Sequence, residues 1–222
     1  MTFNEDKVPE ISQDAIKAWV ADFAARHDTA GATRTFTAAN GAQAQVTGGT
    51  YGWRIDQQAE IDQINAMFNS LESQDREPIY SQTAASHGAT DWGNTYIEVS
   101  IANQHVWYVQ DGQVVFEADV VTGLPTAKRA TTKGVWTILE KKQGKVLRGE
   151  KLPDGSYEYE TPVSYWLRVT YTGIGFHDAS WQPWFGGDRY TYAGSHGCIN
   201  TPLDLAGIIF ENIEVGTAVV CY

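Results

Sequence analysis

Ser195-His196-Gly197-Cys198-Ile199-Asn200 is where the reading of this chain turns. Cys198 is one of only two cysteines in 222 residues. A second histidine lies upstream, in Gly175-Phe176-His177-Asp178. A thiol, a distant histidine and a glycine beside the nucleophile are the parts that acyl transfer through cysteine requires. Gly197 has no β-carbon, which permits close backbone approach next to the thiol. The backbone N–H groups of Gly197 and Cys198 are natural donors to the oxyanion of a tetrahedral intermediate.

Further on, Thr201, Pro202 and Asp204 read as N-cap, first helical position and acidic first turn of a helix that continues through Glu211. Cys198 is therefore expected near a helix N-terminus, whose partial positive charge favours a thiolate. Magnitudes limit that effect. A thiol with pKa about 8.5 needs roughly 2 kcal/mol to reach half ionisation at neutral pH, and a helix end supplies about 0.3–1 kcal/mol. A histidine base must supply the rest. His196 is two residues from Cys198, so in an extended segment both point to one face. His177 is remote in sequence, as bases in cysteine hydrolases usually are. Asp178 adjoins His177, but neighbouring side chains of an extended segment point opposite ways, so Asp178 is not expected to orient the base.

These residues resemble the signature of the YkuD-type L,D-transpeptidases: a His, a spacer of this length, then Ser/Thr-His-Gly-Cys, an apolar residue and Asn or Arg. His177-Asp178-Ala179-Ser180-Trp181, Phe185-Gly186-Gly187 and Gly194 through Pro202 agree with it, and the text looks like the Gram-positive, enterococcal-type branch. The resemblance covers 93–222 as a catalytic domain. Residues 1–90 resemble the C-terminal part of the associated peptidoglycan-binding domain, on the text Gly48-Gly49-Thr50-Tyr51-Gly52-Trp53.

The resemblance implies that His177 is the base and that His196 shapes the site or contacts substrate. Ser195 reads as a support for the base through its carbonyl or hydroxyl, the resemblance implying a backbone carbonyl near the remaining imidazole nitrogen, and Asn200 reads as fixing the loop or meeting substrate. Trp181, Trp184, Phe185 and Tyr192 lie between the two catalytic elements. They read either as packing or as the wall of a groove for a peptide stem, with Trp181 and Tyr192 as substrate contacts. The implied reaction is peptidoglycan L,D-transpeptidation. Cys198 attacks the third residue of a tetrapeptide donor stem, a thioester forms, and an amine of a neighbouring stem resolves it as a 3→3 cross-link. Covalent inhibition by carbapenems and a place outside the membrane, at the cell wall, are implied too. An L,D-carboxypeptidase, a cell-wall cysteine endopeptidase and a non-catalytic wall-binding protein are the alternatives.

Composition narrows the field independently. Charged residues are 19% and apolar ones 42%, which suits a folded chain. Net charge is −11, so a duplex nucleic-acid partner is not expected. One thiol and two histidines lack the number and spacing of a closed zinc site, and no phosphate-cradling glycine loop is present, so neither metal nor cofactor is expected. No apolar run reaches the length of a membrane span, and the charged first residues do not read as a signal peptide. A membrane anchor is thus expected only in a longer native chain, of which this is the ectodomain. A monomer is expected. Cys221, in Ala218-Val219-Val220-Cys221-Tyr222, reads as a buried residue of the last strand. A bridge to Cys198 would block the nucleophile and is not expected. Basic residues cluster from Lys128 to Lys151, either as a solvated hairpin or as a lid that meets anionic substrate.

Periodicity divides the chain. Ile16, Trp19, Val20, Phe23 and Ala24 share one helical face behind an N-cap at Ser12. Strands at 34–37 and 42–47 flank an Asn40-Gly41 turn. A second helix is expected at 57–72, with Ile61, Ile64, Met67, Phe68 and Leu71 inward. Residues 81–93 read as a linker. From Tyr96 the pattern becomes period two, with turn signals at Asp111-Gly112 and Pro153-Asp154-Gly155-Ser156. The expected fold is a small α/β module followed by a mainly β catalytic domain. The resemblance makes that domain a β-sandwich of mixed sheets with a short helix after the catalytic Cys.

Overall fold

The computed structural model describes residues 2–3, 9–71 and 73–222. The first module opens with two short paired strands, β1 (Thr2–Phe3) and β2 (Pro9–Glu10). Helix α1 (Gln13–His27) starts where Ser12 Oγ accepts the Ala15 N–H. Strands β3 (Gly31–Thr37) and β4 (Gln43–Gly48) form a hairpin around Asn40-Gly41. Gly41 takes φ +83 there, in the left-handed region a hairpin turn demands. Strand β5 (Arg54–Ile55) leads into α2 (Gln57–Ser70), capped by Asp56. Strand β6 (Tyr80–Gln82) returns to pair with β5.

Ile16, Val20 and Ile61 make a small core between the helices. Two inward expectations fail. Trp19 is 51% exposed, because the buried stripe of α1 is narrowed to Ile16, Val20 and Ala24. Leu71 is 84% exposed, because it ends α2 in a left-handed C-cap that turns its side chain off the apolar face. The 81–93 stretch is not a loose tether at its end. Asp91 is buried against Arg34 at 2.8 Å, and Trp92 is buried edge-on to Phe36.

The mainly β part consists of β7 (Tyr96–Ser100), β8 (His105–Gln110), β9 (Gln113–Asp119), β10 (Gly134–Thr137), β11 (Glu140–Arg148), β12 (Glu160–Arg168), β13 (Gly175–Asp178), β14 (Ile199–Thr201) and β15 (Ala218–Cys221). Helix α3 (Tyr190–Ala193) precedes β14, and α4 (Leu203–Asn212) follows it. The strands form a five-stranded sheet in the order β10-β15-β7-β8-β9 and a four-stranded sheet in the order β11-β12-β13-β14. Both are mixed, since β15 runs parallel to β7 and β13 parallel to β14. One apolar core joins them, with Ile97, Val99 and Val106 from the first sheet, Leu167, Phe176 and Ile199 from the second, and Leu205 and Ile209 from α4.

A second cluster lies on the outer side of the five-stranded sheet. There Phe36 and Val46 of the first module pack with Val135, Ala218 and Val220. Gly49 bridges to Val135, so close that a β-carbon would lie 2.0 Å from the Val135 carbonyl oxygen. The Glu98 carboxylate accepts the Ala39 N–H from the same side. The first module thus grips the back of the sandwich, and the four-stranded sheet is left to build the site.

Candidate active site

Parallel pairing of β13 with β14 closes the sequence gap between the two catalytic elements. His177 stands opposite Asn200, and Phe176 opposite Ile199. Phe176 and Ile199 are fully buried in the core. Strand periodicity then sends His177, Cys198 and Asn200 to the other face. There they line one cleft with Trp181, Ser195 and His196, of about 310 Å³.

His177 is 3% exposed. Its Nδ1 lies 2.9 Å from the carbonyl oxygen of Asp178. A carbonyl only accepts, so Nδ1 carries the proton and Nε2 presents a lone pair. Thr201 Oγ1 donates to the His177 carbonyl at 3.0 Å and braces the strand. Burial lowers the His177 pKa below the ordinary histidine value, against the opposing pull of the Asp178 carbonyl and charge. The Asp178 carboxylate does not orient the ring. It accepts the N–H groups of Ser164 and Tyr165, both at 2.8 Å.

Cys198 is a free thiol, half-buried, with its sulfhydryl donating to the Gly173 carbonyl at 3.7 Å. The crowding of protein around its sulfur pushes the thiol up to about 11, although the Gly175 N–H and the Lys145 ammonium pull it down. The expected helix N-terminus does not help. Thr201 belongs to β14 and Pro202, not Thr201, is the N-cap of α4, without a side-chain capping bond. Three strand residues and Pro202 therefore separate Cys198 from the helix, and a helix end acts only within about its first turn. Both shifts favour the neutral thiol and the neutral imidazole.

Ser195 does something other than support the base. Its carbonyl accepts the Leu124 N–H, while its hydroxyl donates to the Cys198 carbonyl at 2.6 Å and accepts the Gly197 N–H at 3.0 Å. It ties the nucleophile loop into one compact turn. The Gly197 N–H is committed to that turn and does not point at a substrate oxygen as expected. The Cys198 N–H has no protein acceptor among the described residues. Gly197 adopts φ +119, and its carbonyl accepts from Thr131 Oγ1 at 2.8 Å. Thr131 also takes the Gly123 N–H, so it pins two backbone segments behind Cys198. No pattern in the sequence singles Thr131 out.

His196 is exposed and turns away from Cys198. Its Nε2 approaches Glu158 at 3.4 Å and its ring lies against Tyr159. The shared-face expectation fails because residues 194–198 form a bend rather than an extended strand. Asn200 is 2% exposed, and its buried Oδ1 has no hydrogen-bond partner among the described residues. Trp181 is exposed at the cleft, 5.8 Å from the His177 ring. Tyr192 is also exposed; it lies against Arg189 rather than reaching the dyad.

The basic stretch runs from the loop before β10 through β10 and β11 into the turn of the β11–β12 hairpin, and most of its cations are paired. Lys128 meets Glu150 at 3.0 Å, Arg129 meets Glu158 at 3.1 Å and Arg148 meets Glu160 at 2.7 Å. The hairpin nevertheless stands over the thiol. Leu147 and Tyr159 divide the first cleft from a second one of about 330 Å³, which reaches Cys198 past Lys145, Trp166 and Gly173. Among the described residues no cluster of three or more metal-ligating side chains occurs.

Comparison with known proteins agrees with this geometry. A family model described as "L,D-transpeptidase catalytic domain" (YkuD) matches residues 94–221, and one described as "Putative peptidoglycan binding domain" matches residues 4–76. An Enterococcus faecium L,D-transpeptidase carrying a cysteine-to-serine substitution superimposes with TM-score 0.84 at 35% identity, over 100% of this chain and 86% of that one. The catalytic domain of the E. faecium enzyme acylated by ertapenem matches 58% of this chain and 97% of its own, at 45% identity and TM-score 0.51. A Mycobacterium smegmatis L,D-transpeptidase matches 58% of each chain at 27% identity and TM-score 0.50. No curated protein matches.

Proposed function

The chain belongs to the YkuD family of cysteine-dependent L,D-transpeptidases, and from that premise we propose that Cys198 and His177 act as a neutral dyad serving two clefts. The observation that carries this reading is the sulfur's position, at the junction of a cleft that contains His177 and one that does not.

The neutral resting state sets the order of events. With the thiol raised to about 11 and the imidazole lowered, a preformed ion pair is not the ground state. The S–H proton passes to His177 Nε2 as sulfur attacks the carbonyl of the third residue of a donor stem. The C–S bond forms, and the oxyanion develops against the Cys198 N–H. The C–N bond then breaks, and His177 delivers the same proton to the leaving amine. In the second half an acceptor amine attacks the thioester, gives its proton to His177, and the thiol is restored as the 3→3 cross-link forms. Both amines exchange a proton with one nitrogen, so both occupy the His177 cleft. The acyl stem takes the other cleft, along Lys145 and Trp166.

The partners are peptidoglycan stem peptides, with the first module positioning the enzyme on the wall, outside the membrane. Carbapenems acylate the same sulfur. Intact mass after incubation with a carbapenem tests this: a single adduct is expected on the native chain and none on Cys198→Ala. An adduct on both would remove Cys198 from its role. Tetrapeptide turnover with and without an acceptor stem separates cross-linking from L,D-carboxypeptidase hydrolysis.

A further inference from the structure

Arg189 stands in the wall of the His177 cleft with no acid to pair with. Among the described residues, no carboxylate lies within ion-pair distance of its guanidinium. The other cations beside Cys198 are committed. Lys145 meets Glu140 at 3.6 Å, Arg148 meets Glu160 at 2.7 Å, and Arg168 donates to the carbonyls of Thr170 and Tyr171.

Arg189 is nonetheless held firmly. Its Nε donates to Gln182 Oε1 at 2.5 Å, and the buried Gln182 in turn donates to the Ala193 carbonyl at 3.0 Å. The guanidinium lies 4.4 Å from the Trp184 ring and 5.8 Å from that of Tyr192. Both rings are more than half exposed, so packing in a core does not account for them. Neutral partners and π faces fix the fork without neutralising it, and the two Nη groups have no hydrogen-bond acceptor among the described residues. That is the construction of a carboxylate receptor.

Its place decides which carboxylate. His177 packs against Trp181, Trp181 precedes Gln182, and Gln182 carries Arg189, so base and guanidinium share one wall. The leaving amine must lie against His177 to be protonated. Its own carboxylate is two bonds farther along the same residue. We propose that Arg189 binds the free terminal carboxylate of the donor's leaving D-residue. It would thereby restrict the enzyme to stems that end one residue beyond the scissile bond. This rests on the dyad assignment above.

The test compares a tetrapeptide donor with a free C-terminus and the same peptide as its terminal amide, by release of the last residue. The native enzyme should prefer the acid by on the order of 10- to 100-fold in kcat/KM, the effect of one charge-assisted contact. Arg189→Gln should handle acid and amide alike, at the native rate for the amide. Arg189→Lys, which keeps charge but not the fork, should retain part of the preference. An Arg189→Gln enzyme that keeps the native preference overturns the proposal, as does an equal loss on both peptides. If the variant fails to fold, the native enzyme alone decides, because equal handling of acid and amide also overturns it. A native enzyme that releases the terminal residue from neither peptide, yet forms a carbapenem adduct, shows instead that the donor assignment has failed, and the proposal falls with it.

Discussion

Cys198 borders one sheet of the sandwich and Cys221 lies in the other, and burial raises both thiols, to about 11 and about 12. Cys221 lies in β15 between Gly134 and Val99, inside the main apolar core. Among the described residues its sulfur has no hydrogen-bond partner, and burial alone raises it. Cys198 sits one residue before β14, with a carbonyl at 3.7 Å, a histidine on the adjacent strand and two clefts that open onto it. The two differ little in resting acidity. They differ in access, and in whether a base on the neighbouring strand can take the proton when the sulfur attacks. Reactivity here is a property of the surroundings during the reaction, not of a thiolate held in readiness.

The largest effect that can break this comparison is removal of the base. His177→Gln should leave a folded protein whose Cys198 is accessible but no longer activated, with acylation by donor peptide slowed about 10²- to 10⁴-fold. The pH profile of the native enzyme sharpens the point. The active form is thiol with neutral imidazole. Activity should therefore persist on the acid side to below 6.5, since the His177 value is lowered from there, and on the alkaline side toward about 11. An acid limb centred at or above 6.5 in kcat/KM would mean an imidazole that is not desolvated as the fold indicates.

A smaller effect is expected at the brace. Ser195→Ala removes both the hydroxyl donor to the Cys198 carbonyl and the acceptor of the Gly197 N–H. Acylation should fall about 10-fold, alongside a modest drop in melting temperature from one or two lost hydrogen bonds. A change confined to melting would make Ser195 a fold residue alone.

The sequence showed the ingredients of this site more plainly than their arrangement. Gly197 and Cys198 were legible because close backbone approach and nucleophilic chemistry each demand a particular residue type. The short apolar runs and turn signals from Tyr96 onward announced the sandwich, although Tyr96–Ser100 and His105–Gln110 are buried on both faces because the first module covers the back of their sheet. The helix-dipole argument failed because a Thr-Pro pair reads as a helix start even when a three-residue strand comes first. His196 was misplaced because spacing by two implies a shared face only in an extended segment, and a bend intervenes. Thr131 and Arg189 left no trace in the pattern. One joins segments far apart in sequence, and the other is defined by rings and an amide that an irregular loop gathers around it.

The smallest expected effect lies at the other cysteine. Cys221→Ala should leave donor acylation and carbapenem adduct formation unchanged, and cost about 1 kcal/mol of stability as a modest core truncation. Its pH dependence has a definite sign. The Cys221 value is raised from 9.0 to about 12 in the folded state, so between those values the unfolded chain releases a proton that the folded chain retains. Native stability must then decline as pH rises through this window, whereas the alanine variant lacks that contribution. The gap between the two melting curves should narrow above pH 9. A gap that stays constant would mean that Cys221 meets water in the folded protein, and the contrast between the two thiols would then lose its buried reference.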